Sequence, residues 1–167
     1  GQAWKDQRKT FSHLFKTSLL KSFMYDVFLH HTTDLMNILA ENCENGKPFD
    51  TIDVFYRFTL DSIGDIAFGK NIGSLIKPTP ISESFNLALH RLEKRVFWPF
   101  WKITPDPEMR KALKILDQYA FDMIKERRND PEVASKSDLL SKYIVQTNES
   151  DEYLRDVIMF VSIGSLC

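Results

Sequence analysis

Residues 50–69 read D-T-I-D-V-F-Y-R-F-T-L-D-S-I-G-D-I-A-F-G, and this stretch decides the fold. Asp50 is the residue type whose side chain accepts hydrogen bonds from the first free backbone amides of a helix. Behind it Ile52, Phe55, Phe58, Ile63 and Ile66 recur at helical spacing, and Gly69 supplies the residue that enters the left-handed region without strain. The spacing predicts one helix, buried on most sides. Such a helix needs others packed around it.

Working toward the start of the chain, the turn Asn45-Gly46-Lys47-Pro48 closes a helix predicted over Tyr25 to Cys43, with Phe28, Leu35, Ile38 and Leu39 facing inward. Before that, Trp4, Phe11, Leu14 and Phe15 mark one face of a first helix. Toward the end, the stretch from Lys70 to Ile81 holds Gly73, Pro78 and Pro80 and reads as a connection. Ser82 then caps a helix carrying Phe85, Leu89, Leu92 and Val96, which Trp98-Pro99-Phe100-Trp101 breaks. Asp106 and Pro107 form an N-cap and first-turn pair for a long helix with Met109, Leu113, Leu116, Ala120 and Met123 in register. Lys125, Arg127 and Arg128 suit its C-terminal dipole. A short helix over Asp138 to Ile144 follows, and Asp151 opens a last one that buries Leu154, Val157, Ile158 and Val161. No strand alternation of useful length and no internal repeat is present. The expected fold class is therefore all-α, an irregular multi-helix array.

Of the 167 residues, 43% are hydrophobic and 13% aromatic, enough apolar surface for one sizeable core. Lys plus Arg number 22 against 23 for Asp plus Glu. That balance gives no long-range field that would draw nucleic acid. Cys43 and Cys167 are the two cysteines, too few for a disulfide framework and without the spacing of a structural zinc site. A reducing compartment fits. No apolar run approaches the roughly 20 residues needed to span a bilayer, so any membrane anchor is expected upstream. The first residues read as the inside of a helix, and the expectation is a chain whose beginning has been lost.

Several residues invite a chemical role. Trp4 and Arg8 lie four apart and project from one helical face, an indole N–H beside a permanent cation, two donors able to hold one carboxylate. Alone, so short a pattern reads equally as a core tryptophan covered by an arginine stem. His30 and His31 sit about 100° apart on a helix and cannot chelate one metal together, so a solvated pair is expected. His13 and His90 receive no role. Cys43 ends a helix and reads as a small core residue. Glu152 and Arg155 are spaced for a surface ion pair. Phe97, Trp98, Phe100 and Trp101 suit either a substrate channel, a membrane surface or plain core.

The order of these segments resembles the cytochrome P-450 superfamily. W-K-D-Q-R-K-T-F-S-H-L-F from Trp4 to Phe15 is similar to its C helix, and F-Y-R-F-T-L-D-S-I-G-D-I-A-F-G from Phe55 to Gly69 to its E helix. The helices flanking Trp98 to Trp101 resemble the F and G pair. D-L-L-S-K-Y-I from Asp138 resembles the H helix, and D-E-Y-L-R-D-V-I-M from Asp151 the start of the I helix. The resemblance implies that residues 1–167 are part of a catalytic domain, a partial P-450 fold running from helix C to helix I. It implies a haem cofactor whose propionate Trp4 and Arg8 contact, and a substrate channel to which Phe97, Trp98, Phe100, Phe160 and Gly164 contribute. The R-F-T-L-D-S-I wording and the W-K connector are most similar to eukaryotic fatty-acid ω-hydroxylases. They imply a lipophilic small-molecule substrate, O₂ and electrons from an NADPH-dependent reductase. The resemblance further implies attachment to the cytosolic face of the endoplasmic reticulum membrane.

The departures are specific. Where the family's I helix carries A/G-G-x-D/E-T, this chain reads Ser162-Ile-Gly164-Ser-Leu-Cys167, in which the glycine alone survives. Neither cysteine stands in the F-x-x-G-x-R-x-C-x-G loop that donates the iron's thiolate. The chain by itself is therefore expected to be inactive and to leave apolar helix faces uncovered. The reading from a different class is a non-enzymatic helical module that binds partners through its aromatic connector, with the W-x-x-x-R match accidental.

Overall fold

A computed structural model describes residues 23–46, 48–97 and 105–164, for residues 96 and 97 the backbone only. The first predicted helix, with Trp4 and Arg8, and the connector residues Trp98 and Phe100 lie outside these. Among the described residues there are six α-helices and no strand: α1 Tyr25–Glu44, α2 Thr51–Phe68, α3 Pro80–Phe97, α4 Pro107–Arg128, α5 Leu139–Gln146 and α6 Asp151–Gly164, with a 3₁₀ turn at Val133–Ser135. The all-α expectation holds.

The helix limits follow the local chemistry. Asp50 caps α2 by accepting from the amides of Ile52 and Asp53, and Gly69 ends it at φ 59° and ψ 33°. Asp106 caps α4 through the amide of Met109, and Asp138 caps α5 through the amide of Ser141. For α3 the cap is earlier than expected. The helix begins at Pro80, and Thr79 and Ser82 exchange hydrogen bonds, the Ser82 amide donating to Thr79 Oγ1 and the Thr79 amide to Ser82 Oγ. Serine in the first turn, rather than serine at the cap, fits a pair in which each side chain satisfies the other's free amide.

Helix α2 is the hub, in contact with α1, α3, α5 and α6. Its C-terminal residues Ala67 and Phe68 join Ala120, Met123 and Ile124 of α4, Leu140 and Tyr143 of α5, and Leu154 and Ile158 of α6. Leu60, one helical face away, packs with Phe85 and Ala88 of α3 and with Met109 and Leu116 of α4. A third cluster joins Leu35 of α1 and Val54 of α2 to Leu75 in the α2–α3 connection. Each buried aliphatic or aromatic side chain in these clusters contributes about 1.5–3 kcal/mol relative to exposure.

Two expectations about burial are corrected. Ile52 and Phe55, in the N-terminal half of α2, are exposed, and Phe28 of α1 is exposed as well. Periodicity identified the helices, but which side of an all-round apolar helix meets a neighbour depends on the neighbours. The inward place expected for Phe28 is taken by His31, which is 1% exposed.

Candidate functional site

The described candidate residues gather on the last helix. On α6 the positions Asp156, Phe160 and Gly164 are four apart and share one face, since successive residues turn by about 100°. All are exposed, Phe160 at 59%. The opposite face holds Leu154, Val157, Ile158 and Ser162 in the core. The Ser162 hydroxyl donates to the carbonyl of Ile158. Between the two faces, Met159 packs against the cluster of Phe85, Ala88, Met109 and Leu116, which seats the second half of α6 against the α3–α4 hairpin. A Cβ built at Gly164 meets nothing within 4 Å. On this face Phe160 stands exposed between the Asp156 carboxylate and Gly164, and the helix is anchored from behind through Met159. Phe97, the last residue of α3, has a described backbone only.

Hydrogen bonds and ion pairs hold this framework. Asp61, 1% exposed in the middle of α2, accepts from the Ser74 amide at 3.0 Å, the Ser74 hydroxyl at 2.7 Å and the Leu75 amide at 2.8 Å. Arg57 donates to the Ser74 carbonyl at 3.3 Å, so the connection leading into α3 is pinned to α2 from two sides. Gly64 is required here. A Cβ at that position would sit 2.8 Å from the Lys70 carbonyl oxygen, against backbone that cannot move aside. At the far end of α2, Arg127 of α4 donates to the Phe68 carbonyl and pairs with Asp138 at 3.3 Å.

The histidine, cysteine and Glu-Arg expectations change. His30 is exposed, but His31 is buried and its Nε2 lies 2.8 Å from Asp65 Oδ2, linking α1 to α2. The pair is therefore split between solvent and core. Cys43 is exposed rather than a core residue. Arg155 pairs with Asp117 at 3.2 Å and Asp156 at 2.9 Å, not with Glu152, and its guanidinium lies 5.7 Å from the centre of the Phe121 ring. Helix α4 supplies a partner across the interface that spacing within α6 cannot reveal.

Sequence reasoning did not single out Asp61, Asp65 or the Arg127–Asp138 pair. The available signal was an acid inside an otherwise apolar helix, since a carboxylate at a buried position must find donors. Burial also pushes the Tyr119 phenol up to about 12, helped by the negative charges of Asp61, Glu126 and Asp65. The Glu126 carboxyl is held below its usual range by the hydrogen bond and charge of Lys70. A groove between α3 and α4 is lined by Leu87, Ala112 and Ile115 together with Glu83, Glu108 and Lys111.

The sequence profile of the cytochrome P450 family matches residues 1–163, and the chain belongs to that family. It is 31% identical over 95% of its length to cytochrome P450 704C1 of Pinus taeda, of which it covers 35%. To cytochrome P450 94C1 of Arabidopsis thaliana it is 32% identical over 95% of its length, covering 35% of that protein. To cytochrome P450 monooxygenase cyp1 of Mycosarcoma maydis it is 27% identical over 98% of its length, covering 29% of that protein. The chain thus spans about a third of the length of these relatives. The match sets aside an accidental W-x-x-x-R in an unrelated helical module.

Haem is the cofactor of this family. Among the described residues no group of three or more His, Cys, Asp or Glu could hold a metal ion. Cys43 stands exposed on α1, outside the loop context that donates the iron's thiolate in the family. Among the described residues no helix is long and apolar enough to cross a membrane.

Proposed function

We propose that the chain is part of a haem-thiolate monooxygenase that hydroxylates a long-chain fatty acid with O₂ and electrons from an NADPH-dependent reductase. The observation that carries the reading is the family match over residues 1–163. The fatty-acid substrate is supported by the wording R-F-T-L-D-S-I at Arg57 to Ile63, which is similar to that of eukaryotic ω-hydroxylases. The bound haem supplies oxygen activation, its thiolate ligand pushing electron density onto the iron.

This chain's own residues bind and orient. The Trp4 indole N–H and the Arg8 guanidinium hold a haem propionate, because a fixed fork of donors suits a carboxylate. Phe97, Trp98, Phe100, Phe160 and Gly164 line the substrate channel. Phe160 offers an apolar surface to an acyl chain, and Gly164 leaves room where a side chain would block its approach. The exposure of Phe160 and the anchoring of α6 through Met159 support that part of the reading. In the complete protein an upstream anchor places this domain on the cytosolic face of the endoplasmic reticulum membrane. Residues 1–167 alone are inactive, for want of the cysteine loop.

The test uses the complete protein. Carbon monoxide bound to the reduced form gives the red-shifted Soret band of a thiolate-ligated haem, and with reductase, NADPH and O₂ a long-chain fatty acid is hydroxylated near its methyl end. Absence of that band overturns the monooxygenase reading. A normal band with turnover of other apolar compounds but no fatty acid overturns the substrate. Arg8→Leu lowers haem retention at least about tenfold, the ratio that about 1.4 kcal/mol of lost binding produces.

A further inference from the structure

Helices α4 and α6 run antiparallel, since the contacts that climb α6 descend α4: Asp151 meets Arg128, Arg155 meets Asp117, and Met159 packs in the cluster that holds Leu116. Most of this seam is apolar. Leu154 and Ile158 lie among Ala120, Met123 and Ile124. Apolar burial is non-directional, so it holds two helices together without choosing how far one slides along the other. Arg155 makes that choice. Its guanidinium bridges Asp117 on α4 at 3.2 Å and Asp156 on α6 at 2.9 Å, beside the Phe121 ring. A slide of one helical turn, about 5.4 Å, would put Leu113 or Phe121 in the place of Asp117. Arg128 holds the entry of α6 instead, through Asp151 at the first residue and the Glu149 carbonyl before it.

The bridge adds little stability. Asp117 and Asp156 are 41% and 62% exposed, and ion pairs with partners so open to water contribute weakly. The Arg155 Nε is buried without a hydrogen-bond partner, which subtracts from that contribution. What the arrangement supplies is geometry. A planar fork meets two carboxylates and a ring at once, which the point charge of a lysine cannot do. Met159 stands one turn beyond Arg155 on the same side of α6, and Phe160 and Gly164 follow on the same helix. Arg155 therefore sets the height at which both stand. A slip of one residue moves them by about 1.5 Å, more than the step between neighbouring carbons along an extended acyl chain.

We propose that Arg155 is a positioning residue for regiochemistry: by fixing the register of α6 on α4 it sets the height of Phe160 and Gly164 beside the acyl chain, and so which carbon is hydroxylated. The proposal rests on the fatty-acid reading given above. Its test uses the complete protein with reductase, NADPH, O₂ and palmitate. Arg155→Lys keeps the charge and loses the fork, whereas Asp117→Asn keeps the shape and loses the charge on α4. Both are expected to retain the carbon monoxide band and the parent's thermal midpoint, while the ratio of terminal to penultimate-carbon hydroxylation shifts at least about threefold. The double variant is expected to shift it no further than Arg155→Lys alone, since both changes remove one contact. His31→Leu, which breaks the link between α1 and α2, is expected to lower stability and leave the ratio at the parent's value. If Arg155→Lys gives no carbon monoxide band, the isosteric Asp117→Asn decides. An unchanged ratio in the folded single variants overturns the proposal, as does an equal shift in His31→Leu or a double variant in which the two shifts multiply. A parent protein that hydroxylates no palmitate overturns the fatty-acid reading and this proposal with it, whereas an unchanged ratio in an active parent's variants overturns this proposal alone.

Discussion

Arg127 and Asp138 form a buried ion pair at 3.3 Å where the ends of α2 and α4 meet the start of α5. The two side chains are 9% and 3% exposed, and each has a second task. Arg127 also donates to the Phe68 carbonyl, one of those left open at the end of α2. Asp138 also accepts from the Ser141 amide at 2.9 Å and the Ser141 hydroxyl at 2.7 Å. One pair of opposite charges thus closes one helix, opens another and joins both to a third.

Removing one partner of such a pair costs more than the pair itself contributes, because the remaining charge is left buried. Arg127→Met is expected to destabilise the fold by about 3–5 kcal/mol. In an Asp138→Asn background the same change costs less, since no bare carboxylate remains. The measurement is a double-mutant cycle by urea denaturation. Equal cost in both backgrounds would mean that Arg127 acts only through Phe68 and through packing.

Gly69 is coupled to the same pair. Its φ is 59°, and a Cβ there would sit 3.0 Å from both Arg127 Nη2 and Asp138 Oδ2. Gly69→Ala therefore combines left-handed strain with displacement of the ion pair, for an expected loss of about 2–3 kcal/mol. Strain in the backbone is local, whereas the displaced pair is shared, so the effect of Gly69→Ala is expected to shrink in the Arg127→Met background. Full additivity by denaturation would leave backbone strain as the whole effect.

Gly69 was legible in the sequence because a helix stop is a local event, and the same holds for the caps Asp50 and Asp106, whereas Asp138 was read as the first residue of its helix and is its cap. Each acts within four residues of itself, and the order of apolar, capping and breaking residues is written along the chain. What Gly69 touches was not legible. Arg127 lies 58 positions away in the chain, and its spacing suggested only a cation at a helix end. His31 misled for the same reason, since its partner Asp65 is on another helix. On α6, Phe160 and Gly164 were candidates through the resemblance alone, and the seating of Met159 beside them depends on where α3 and α4 lie.

Asp61 illustrates a buried acid whose worth is set by its donors. Asp61→Ala leaves the amides of Ser74 and Leu75 and the Ser74 hydroxyl without their acceptor, at about 1–3 kcal/mol for each group that water cannot reach. A net loss of about 3 kcal/mol is expected, with amide exchange at Ser74 and Leu75 accelerating first. If those amides stay protected while global stability falls, Asp61 supports the helix rather than the connection.

Tyr119 gives the fold an alkaline limit. In the unfolded chain the phenol ionises near its ordinary value of about 10, and in the folded chain near 12, because burial and the surrounding Asp61, Glu126 and Asp65 disfavour the anion. The folded state therefore holds this proton more tightly than the unfolded state does. Linkage makes its contribution complete below about pH 10 and removes it progressively as the pH rises from about 10 to 12. Tyr119→Phe has no proton to lose. The variant is expected to unfold at higher pH than the parent chain, with little change at neutral pH beyond the small effect of losing a hydroxyl in a partly buried place. The measurement pairs tyrosinate absorbance with far-ultraviolet circular dichroism between pH 8 and 12, and a Tyr119→Phe variant with an unchanged alkaline midpoint would assign that limit to other groups.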